Sequence, residues 1–473
     1  MSSPEGASRF NSGKDSMSHA LRLHTRGSHT WRRAAGLVAA STLALSVVAP
    51  SATAAPPATS GRTDDGAITL AGTWLKGELT DGLVDAGGFT DYGLTLDTGF
   101  ALDQAGDKAG VATINRAFQP VIGDYISGDA FGDAGSTYAG AVAKAATFAR
   151  VAGANPTSYG GVNLVTRLEQ RVSATAPIVG RLEDTSTYGD YANTLGQSYA
   201  ARALTEAKSQ RAADAVAFLL AQQCTSGFFR QDFTKDKAAA AQGCTEGQAG
   251  SEPSVDATAL AVVNLVQGGA KGPGVNEAVD NATDWLVSQQ KKNGSFAGNT
   301  NSTGLAGWAL GLVKARSAAG KAATWVRSQQ PVDKFRCRSA LTKDTGAIAY
   351  EAKAVKAARN SGLTDGDVRG QWRRATAQAM AVLQWAPAAT ADLGVTLTRS
   401  SAESGDKVRV KVVGLAPGER ACVSIKGDTK RIVGKASTRP VTRKLTMPTG
   451  NKTRTVKVKT ADESAKTRIS VRN

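Results

Sequence analysis

Between Leu70 and Arg359 the apolar positions recur at helical spacing in blocks that come in pairs, and the pairing repeats six times. Each unit reads as an amphipathic outer helix, a short loop with an aromatic, and a polar cap opening an inner helix rich in Ala, Gly and Ser. The clearest copies run Phe218, Gln222-Gln223, Gly227-Phe228, Asp256-Ala257-Thr258, and Trp285, Gln289-Gln290, Gly294-Ser295-Phe296, Asn301-Ser302-Thr303. A third runs Trp325, Gln329-Gln330, Lys334-Phe335, Asp344-Thr345-Gly346. Weaker copies pair Trp74 with Gly88-Phe89, Phe118 with Phe131-Gly132, and Leu168 with Tyr188-Gly189. With threonines 98, 137, 194, 258, 303 and 345 as markers, the steps are 39, 57, 64, 45 and 42 residues, a loose period that places insertions in surface loops.

This pattern predicts outer helices near 67–79, 109–126, 161–171, 209–223, 276–290 and 320–330. Inner helices are expected near 97–105, 136–152, 193–207, 254–267, 301–315 and 344–359. Small residues along the inner bodies, as in Leu305-Ala306-Gly307-Trp308-Ala309, let those helices approach closely around an axis. A further helix from Val368 to Gln384 closes the set before Pro387. From Leu393 the period changes to two, as in Val408-Arg409-Val410-Lys411-Val412, with turns at Pro417-Gly418 and Pro448-Thr449-Gly450. About seven short strands in this tail predict a small all-β immunoglobulin-like sandwich.

The recurring aromatics, Trp74, Phe218, Trp285 and Trp325 on outer helices and Phe89, Phe131, Tyr188, Phe228, Phe296 and Phe335 in loops, are expected to wedge adjacent hairpins together. Trp308 and Tyr350 are expected on inner helices, where they either face a cavity or pack in the core.

Charge and rare residues narrow the chemistry. Of the 473 residues 41% are hydrophobic, enough for a large core. Residues 391–473 hold 19 Lys and Arg against 7 Asp and Glu, a net of +12, whereas residues 55–390 are close to neutral at +1. Arg26, Arg32 and Arg33 precede an apolar run from Ala34 to Val48 and the small residues Ala52-Thr53-Ala54, so residues 1–54 read as a secretory signal. Met17 is an alternative start. No later segment reaches the roughly 20 apolar residues of a membrane span. A secreted, extracellular chain associated with the cell envelope is the expected destination.

His19, His24 and His29 all lie in that leader, which leaves no imidazole for a Ser-His-Asp or Cys-His centre or a histidine-ligated metal. No metal and no cofactor are expected. Cys224 and Cys244, 20 positions apart, are expected to form a loop-closing disulfide; Cys337 and Cys422 are either paired across domains or free buried thiols.

The units around Phe218 and Trp285 resemble the repeats of the terpenoid cyclase and protein prenyltransferase superfamily, and the chain is similar overall to secreted actinobacterial prenyltransferase/squalene oxidase repeat-containing proteins. That resemblance implies an all-α six-hairpin alpha-alpha toroid over 66–386, following a signal peptide (1–54) and a linker (55–65). A linker (387–392) and the basic immunoglobulin-like β-sandwich (393–473) complete the expected organisation. It does not carry over the enzymes' chemistry: squalene-type cyclases protonate substrate with an Asp-x-Asp-Asp string that is missing here, and prenyltransferase zinc needs a His. Cobalamin carriers of this fold bind between toroid and β domain, but these strands hold no identifying motif. The thioester proteins place Gln three positions after Cys, whereas Gln248 lies four after Cys244.

In such a toroid the inner N-termini gather at one end, where their free N–H groups suit a polar or anionic ligand. Asp97, Asn193, Asp256, Asn301 and Asp344 would line that end, with Trp308 and Tyr350 beside the cavity; each polar residue is equally suited to capping its own helix. No catalytic residue is assigned. The expected function is a non-catalytic ligand-binding or cell-surface-associated protein. Its partners are a small or lipid-like ligand and, through Lys407, Arg409, Lys411, Lys426, Lys430, Arg431, Arg443, Lys444, Lys457 and Lys459, anionic wall polymers, with no nucleic acid. The alternative is an enzyme acting on isoprenoid or glycan substrates through inner-helix carboxylates such as Asp256 and Asp344.

Overall fold

The computed structural model describes residues 63–364 and 366–473. The 1–54 leader with its histidines lies outside the described residues. In chain order the helices are α1 (Gly66–Gly77), α2 (Tyr92–Gln104), α3 (Lys108–Phe118), α4 (Ile122–Ile126), α5 (Ala139–Val151), α6 (Leu164–Glu169) and α7 (Thr194–Glu206). They continue as α8 (Ala212–Ala221), α9 (Val255–Gln267), α10 (Val275–Gln289), α11 (Thr300–Leu312), α12 (Arg316–Ser328), α13 (Ala352–Ser361) and α14 (Gly366–Ala379), the last extended by a 3-10 segment, Met380–Trp385. Helices α2, α5, α7, α9, α11 and α14 each pack on the next, and α14 returns to α2, so six helices form a closed circuit.

Helices α2, α5, α7, α9 and α11 each bury at least eight of their thirteen residues, as their small residues allow. In α11 eleven of thirteen residues are buried. A Cβ on Gly304, Gly307 or Gly311 would lie 2.2 Å from Ala379, 2.3 Å from Val382 or 2.3 Å from Trp385, so only glycine allows the chain after α14 to lie this close. The sixth inner helix therefore differs from the expectation of 344–359. That stretch is the end of a 3-10 turn (Ala340–Asp344), a loop, and α13, which buries only Val355 and Ala358 and lies on the outside. Helix α14 takes the inner place because it buries Trp372, Ala375, Thr376, Ala377 and Ala379.

A loop clamp recurs between hairpins. Gln223 Nε2 donates to the carbonyls of Gly227 and Ala278, Gln290 Nε2 to those of Gly294 and Ala318, and Gln330 Nε2 to those of Gly346 and Ala67. In each case one carbonyl belongs to the loop and the other to the next outer helix. The third glycine-bearing loop uses an inner-helix residue instead: Gln197 Nε2 reaches Gly180 and Ala215. Gly180, Gly227, Gly294 and Gly346 all have positive φ and sit so near the next helix that a Cβ would lie 2.0–2.4 Å from a carbonyl oxygen. Two residues past each glycine, a backbone N–H donates to an inner-helix side chain: Leu182 to Gln197, Phe229 to Thr258, Phe296 to Thr303 and Ile348 to Thr376, with Val84 to Thr95 in the first loop.

This register corrects the expected wedges. Phe228 and Phe296 are buried, but Phe89, Phe131, Tyr188 and Phe335 are 64, 59, 57 and 42% exposed. Val84, Leu182 and Ile348 fill the places those aromatics were expected to take. The expectation holds for the outer helices, where Trp74, Phe218 and Trp285 are buried and Trp325 packs on the core.

The tail forms a separate β region. A hairpin in the first loop holds β1 (Leu79–Thr80) and β2 (Leu83–Val84); the tail contributes β3 (Gly394–Leu397), β4 (Ser401–Glu403), β5 (Lys407–Val413), β6 (Arg420–Ile425), β7 (Asp428–Val433), β8 (Val441–Thr446), β9 (Lys452–Lys459) and β10 (Ser464–Arg472). Sheets ordered β4-β10-β9-β6-β7 and β3-β5-β8 share one core of Val408, Val410, Val423, Leu445, Val456 and Ile469. The alternation of β5 leaves Lys407, Arg409 and Lys411 exposed.

Helices and sheets belong to one compact unit. The seam between them is polar. Asp333, 1% exposed, accepts from Ser339, bidentately from Arg359 at 2.7 and 3.0 Å, and faces Arg431 of β7 at 3.3 Å. Burial alone would raise this carboxyl, but the guanidinium and hydroxyl donors outweigh it and hold the pKa below its ordinary value. Cys337 and Cys422 lie across this seam at disulfide distance, with Cα atoms 5.8 Å apart; Cys224 and Cys244 are likewise 5.1 Å apart.

Candidate functional site

The loops that feed the inner helices lie at one end of the circuit, and their bonding decides what that end offers. Inner-helix caps are Asp91, Asn193, Ser254 and Asn299, each accepting from its own first turn. Neighbouring loops take further amides: Ala139 N–H donates to Asp184, Thr194 N–H to the Gln231 carbonyl and Thr300 N–H to the Tyr350 carbonyl. At α2, α5, α7, α9 and α11 first-turn amides are thus taken up within the chain.

Beneath these caps a band of polar side chains joins the inner helices. Lys144 of α5 meets Asp97 of α2 at 2.5 Å and donates to the Gly93 carbonyl. Gln378 of α14 bridges onward, donating to Asp97 and accepting from Asn301 of α11 at 2.6 Å. Ser302, also of α11, lies beside Asp256 of α9. Asn264 of α9 donates to Ser198 of α7 at 2.8 Å, and Thr147 of α5 donates to the Tyr199 carbonyl.

The two charged positions of this band differ in kind. Burial opposes the charge on Lys144, yet Asp97 and the Tyr125 and Tyr199 hydroxyls prevail and hold its pKa above the ordinary lysine value. Asp256 has no cation. Burial raises its pKa, the Ser302 hydroxyl only partly offsets this, and Oδ1 has no hydrogen-bond partner. Tyr350 is raised by its own burial and then by the Asp256 charge, which acts across the same end of the inner layer. Tyr199, pushed up to about 12 by burial, stacks on Phe100 of α2 with centroids 5.8 Å apart.

Other inner-layer atoms also lack partners: Asn301 Oδ1, Asn264 Oδ1 and Trp308 Nε1. Their spacing is regular. Asp256, Leu260 and Asn264 fall four residues apart on α9, and Asn301, Leu305 and Trp308 fall on one stripe of the adjacent α11. Leu260, Leu305, Trp308 and Phe100 each keep 8% of their surface open.

The structure therefore brings together Asp97, Asp256, Asn301 and Tyr350, and places Trp308 lower on the same layer. It does not bring in Asn193, which caps α7 through Leu195 and Gly196. Nor does it bring in Asp344, whose carboxylate accepts from Trp74 of α1 and faces Arg369. Asp256 and Asp344 share no partner among the described residues. Sequence reading missed Lys144, Gln378 and Ser302; the lone lysine in the Ala-rich run Ala139–Val151 was the available signal.

Around the same end, Phe89, Phe131, Tyr188 and Tyr191 stand exposed on the loops before α2, α5 and α7. Asp133 ties two of these loops together by accepting from Ser186, Thr187 and Tyr138, bonds that lower its pKa to about 2. Two surface clefts lie elsewhere: one of about 250 Å³ between Thr225 and Ser288, and one of about 330 Å³ on the sheets. Among the described residues no group of His, Cys, Asp and Glu could hold a metal, and no helix is long and apolar enough to cross a membrane.

No protein-family model matches the sequence, and no curated protein matches it. Among solved structures the chain is similar to the type II terpene cyclase MstE from Scytonema, at 14% identity and a TM-score of 0.43, over 67% of this chain and 96% of that one. A variant of MstE in complex with geranylgeranyl dihydroxybenzoate gives 14% and 0.44 over the same shares. A protein from Actinoplanes gives 15% identity and 0.44 over 68% of this chain and 99% of the other. At these values none of their chemistry transfers to this chain.

Proposed function

We propose that this is an exported binding protein in which an alpha-alpha toroid holds a small or lipid-like ligand among its inner helices, and an immunoglobulin-like sandwich associates with anionic envelope material. The observation that carries the first half is Asp256, a half-buried residue with no cation, whose buried Oδ1 has no hydrogen-bond partner in the protein. An unpaired buried polar group costs about 1–3 kcal/mol, and a ligand hydroxyl or amine donating to it removes that cost. The partnerless atoms of Asn301, Asn264 and Trp308 extend the same surface, with Leu260 and Leu305 between them. Asp256 and Asn264 are eight residues apart, about 12 Å along the helix. That pattern suits an elongated ligand with an apolar body and polar groups near both ends. The exposed aromatics on the loops before α2, α5 and α7 suit its apolar part.

The test is organic and aqueous extraction of the secreted mature protein, with mass spectrometry against a blank. A stoichiometric compound supports the reading, and an empty protein counts against it.

One observation favours a second reading, an enzyme on isoprenoid or glycan substrates. A carboxyl raised by burial is suited to donate a proton, and Asp256 is the inner-layer candidate for that role. Asp97 is held by Lys144 and is not available as its partner. Product formation from isoprenoid or glycan substrates that disappears in Asp256→Asn would establish it.

A further inference from the structure

The cleft on the sheets is lined by Arg336, Ser424, Lys426, Thr453, Arg454, Thr455 and Lys457, with no carboxylate among them. None of the four cations belongs to an ion pair of the described residues. Other cations of the tail are engaged: Lys430 with Asp428, Arg431 with Asp333, and Lys459 over the Phe335 ring at 3.7 Å. The guanidinium Nε of Arg454 is buried without a partner, although its Nη2 donates to the Thr449 carbonyl. Four cations and three hydroxyls around about 330 Å³ make a cationic, donor-rich surface, the complement of a phosphate-type oxyanion.

The charges continue beyond the cleft. Lys457 of β9 is paired in register with Lys466 of β10 on one side and Ser424 of β6 on the other, and Arg468 stands beside Thr455. Like charges directly opposite on neighbouring strands are destabilising unless something neutralises them. Adjacent strands are about 4.8 Å apart and same-face residues about 7 Å apart, so Lys426, Lys457, Lys466 and Arg468 form a track rather than a point.

We infer that this face binds a linear polymer of phosphodiesters without bases, one phosphate seated in the cleft and its neighbours along Lys466 and Arg468. The inference rests on the surface-association half of the proposed function and names its partner. A track favours a chain of charges over a single phosphate. None of the residues lining the cleft is large and apolar, and Phe335 beside it carries Lys459 over one face of its ring.

The test measures binding of the full secreted chain to a poly(glycerol phosphate) at several salt concentrations, with anionic phospholipid vesicles and a single-stranded oligonucleotide as parallel probes. Lys426→Glu/Lys457→Glu should weaken polymer binding by at least about tenfold, and even loss of two phosphate contacts should flatten the log–log salt slope by about 1.4. Lys435→Glu/Arg439→Glu, an equal charge change on the exposed loop between β7 and β8, should stay within about twofold. The neutral pair Lys426→Gln/Lys457→Gln keeps the aliphatic stems and should show a smaller loss in the same direction. Equal loss from both reversals, unchanged binding in the neutral pair, no binding by the native chain, or preference for vesicles or the oligonucleotide would each overturn the inference. An empty toroid would leave these results unchanged, so failure of the ring ligand and failure of this site are separable.

Discussion

Gln330, just past the end of α12, donates at 3.0 Å to the carbonyl of Ala67 in α1, 263 positions earlier in the chain. The same side chain holds Gly346 of its own loop at 2.9 Å. Gln223 and Gln290 make the equivalent pair of bonds between consecutive hairpins, so the bond that joins the last hairpin to the first repeats the rule inside the ring.

Gln330→Ala should therefore lower stability by about 2–4 kcal/mol, because two buried carbonyls lose their donor. Gly346→Ala should cost at least as much, since its Cβ would lie 2.3 Å from the Leu70 carbonyl oxygen at a φ of +105°. Gly370→Ala, with nothing within 4 Å, should be neutral or stabilising by about 0.5–1 kcal/mol. Denaturant midpoints of the three variants check the ordering, and a Gln330→Ala protein as stable as the native chain would remove the clamp's role.

Asp256 gives a pH signature. Its folded pKa is raised by burial, so the protonated form favours folding. That contribution is complete below the unfolded pKa and is lost as pH rises through the folded pKa. Native protein should lose stability relative to Asp256→Asn over that interval, and the difference should then level off. Melting temperatures of both proteins across the acidic range measure it; parallel curves would show that Asp256 titrates normally.

Lys144 and Asp97 form the charged pair of the inner band. Lys144→Met leaves Asp97 without its cation and should cost about 3 kcal/mol, whereas the double variant Lys144→Met/Asp97→Leu should recover much of the loss. A double-mutant cycle showing simple additivity would contradict the pairing.

The two cysteine pairs should appear as Cys224–Cys244 and Cys337–Cys422 cross-links in mass mapping of the unreduced protein. Cys337→Ser should destabilise by about 2–4 kcal/mol, since its partner lies 85 positions away. Free thiols at all four positions would defeat both assignments.

Much of the architecture was legible in the sequence because it depends on local pattern. The amphipathic outer helices, the Gln-Gln and Gly-x-Phe units near 222–229 and 289–296, and the switch to period two after Leu393 all survive in the structure. What failed was register in the degenerate repeats. There Val84, Leu182 and Ile348 do the work of phenylalanine, and the exposed Phe89, Phe131, Tyr188 and Phe335 drew the eye to the wrong loop positions. The sixth inner helix was misplaced because α13 and α14 are both Ala-rich, and only burial separates them. The candidate site was legible residue by residue for Asp97, Asp256, Asn301 and Tyr350. Its connections through Lys144, Gln378 and Ser302 were not, because side chains on different helices meet only when the circuit closes.

The most direct test of the account is native mass spectrometry of the purified protein beside Asp256→Ala/Asn301→Ala, with circular dichroism confirming that both are folded. The account predicts a stoichiometric bound mass on the native chain that the double variant loses. A native chain with no bound mass, or an adduct equally retained by the variant, would contradict a ligand site on the inner faces of α9 and α11.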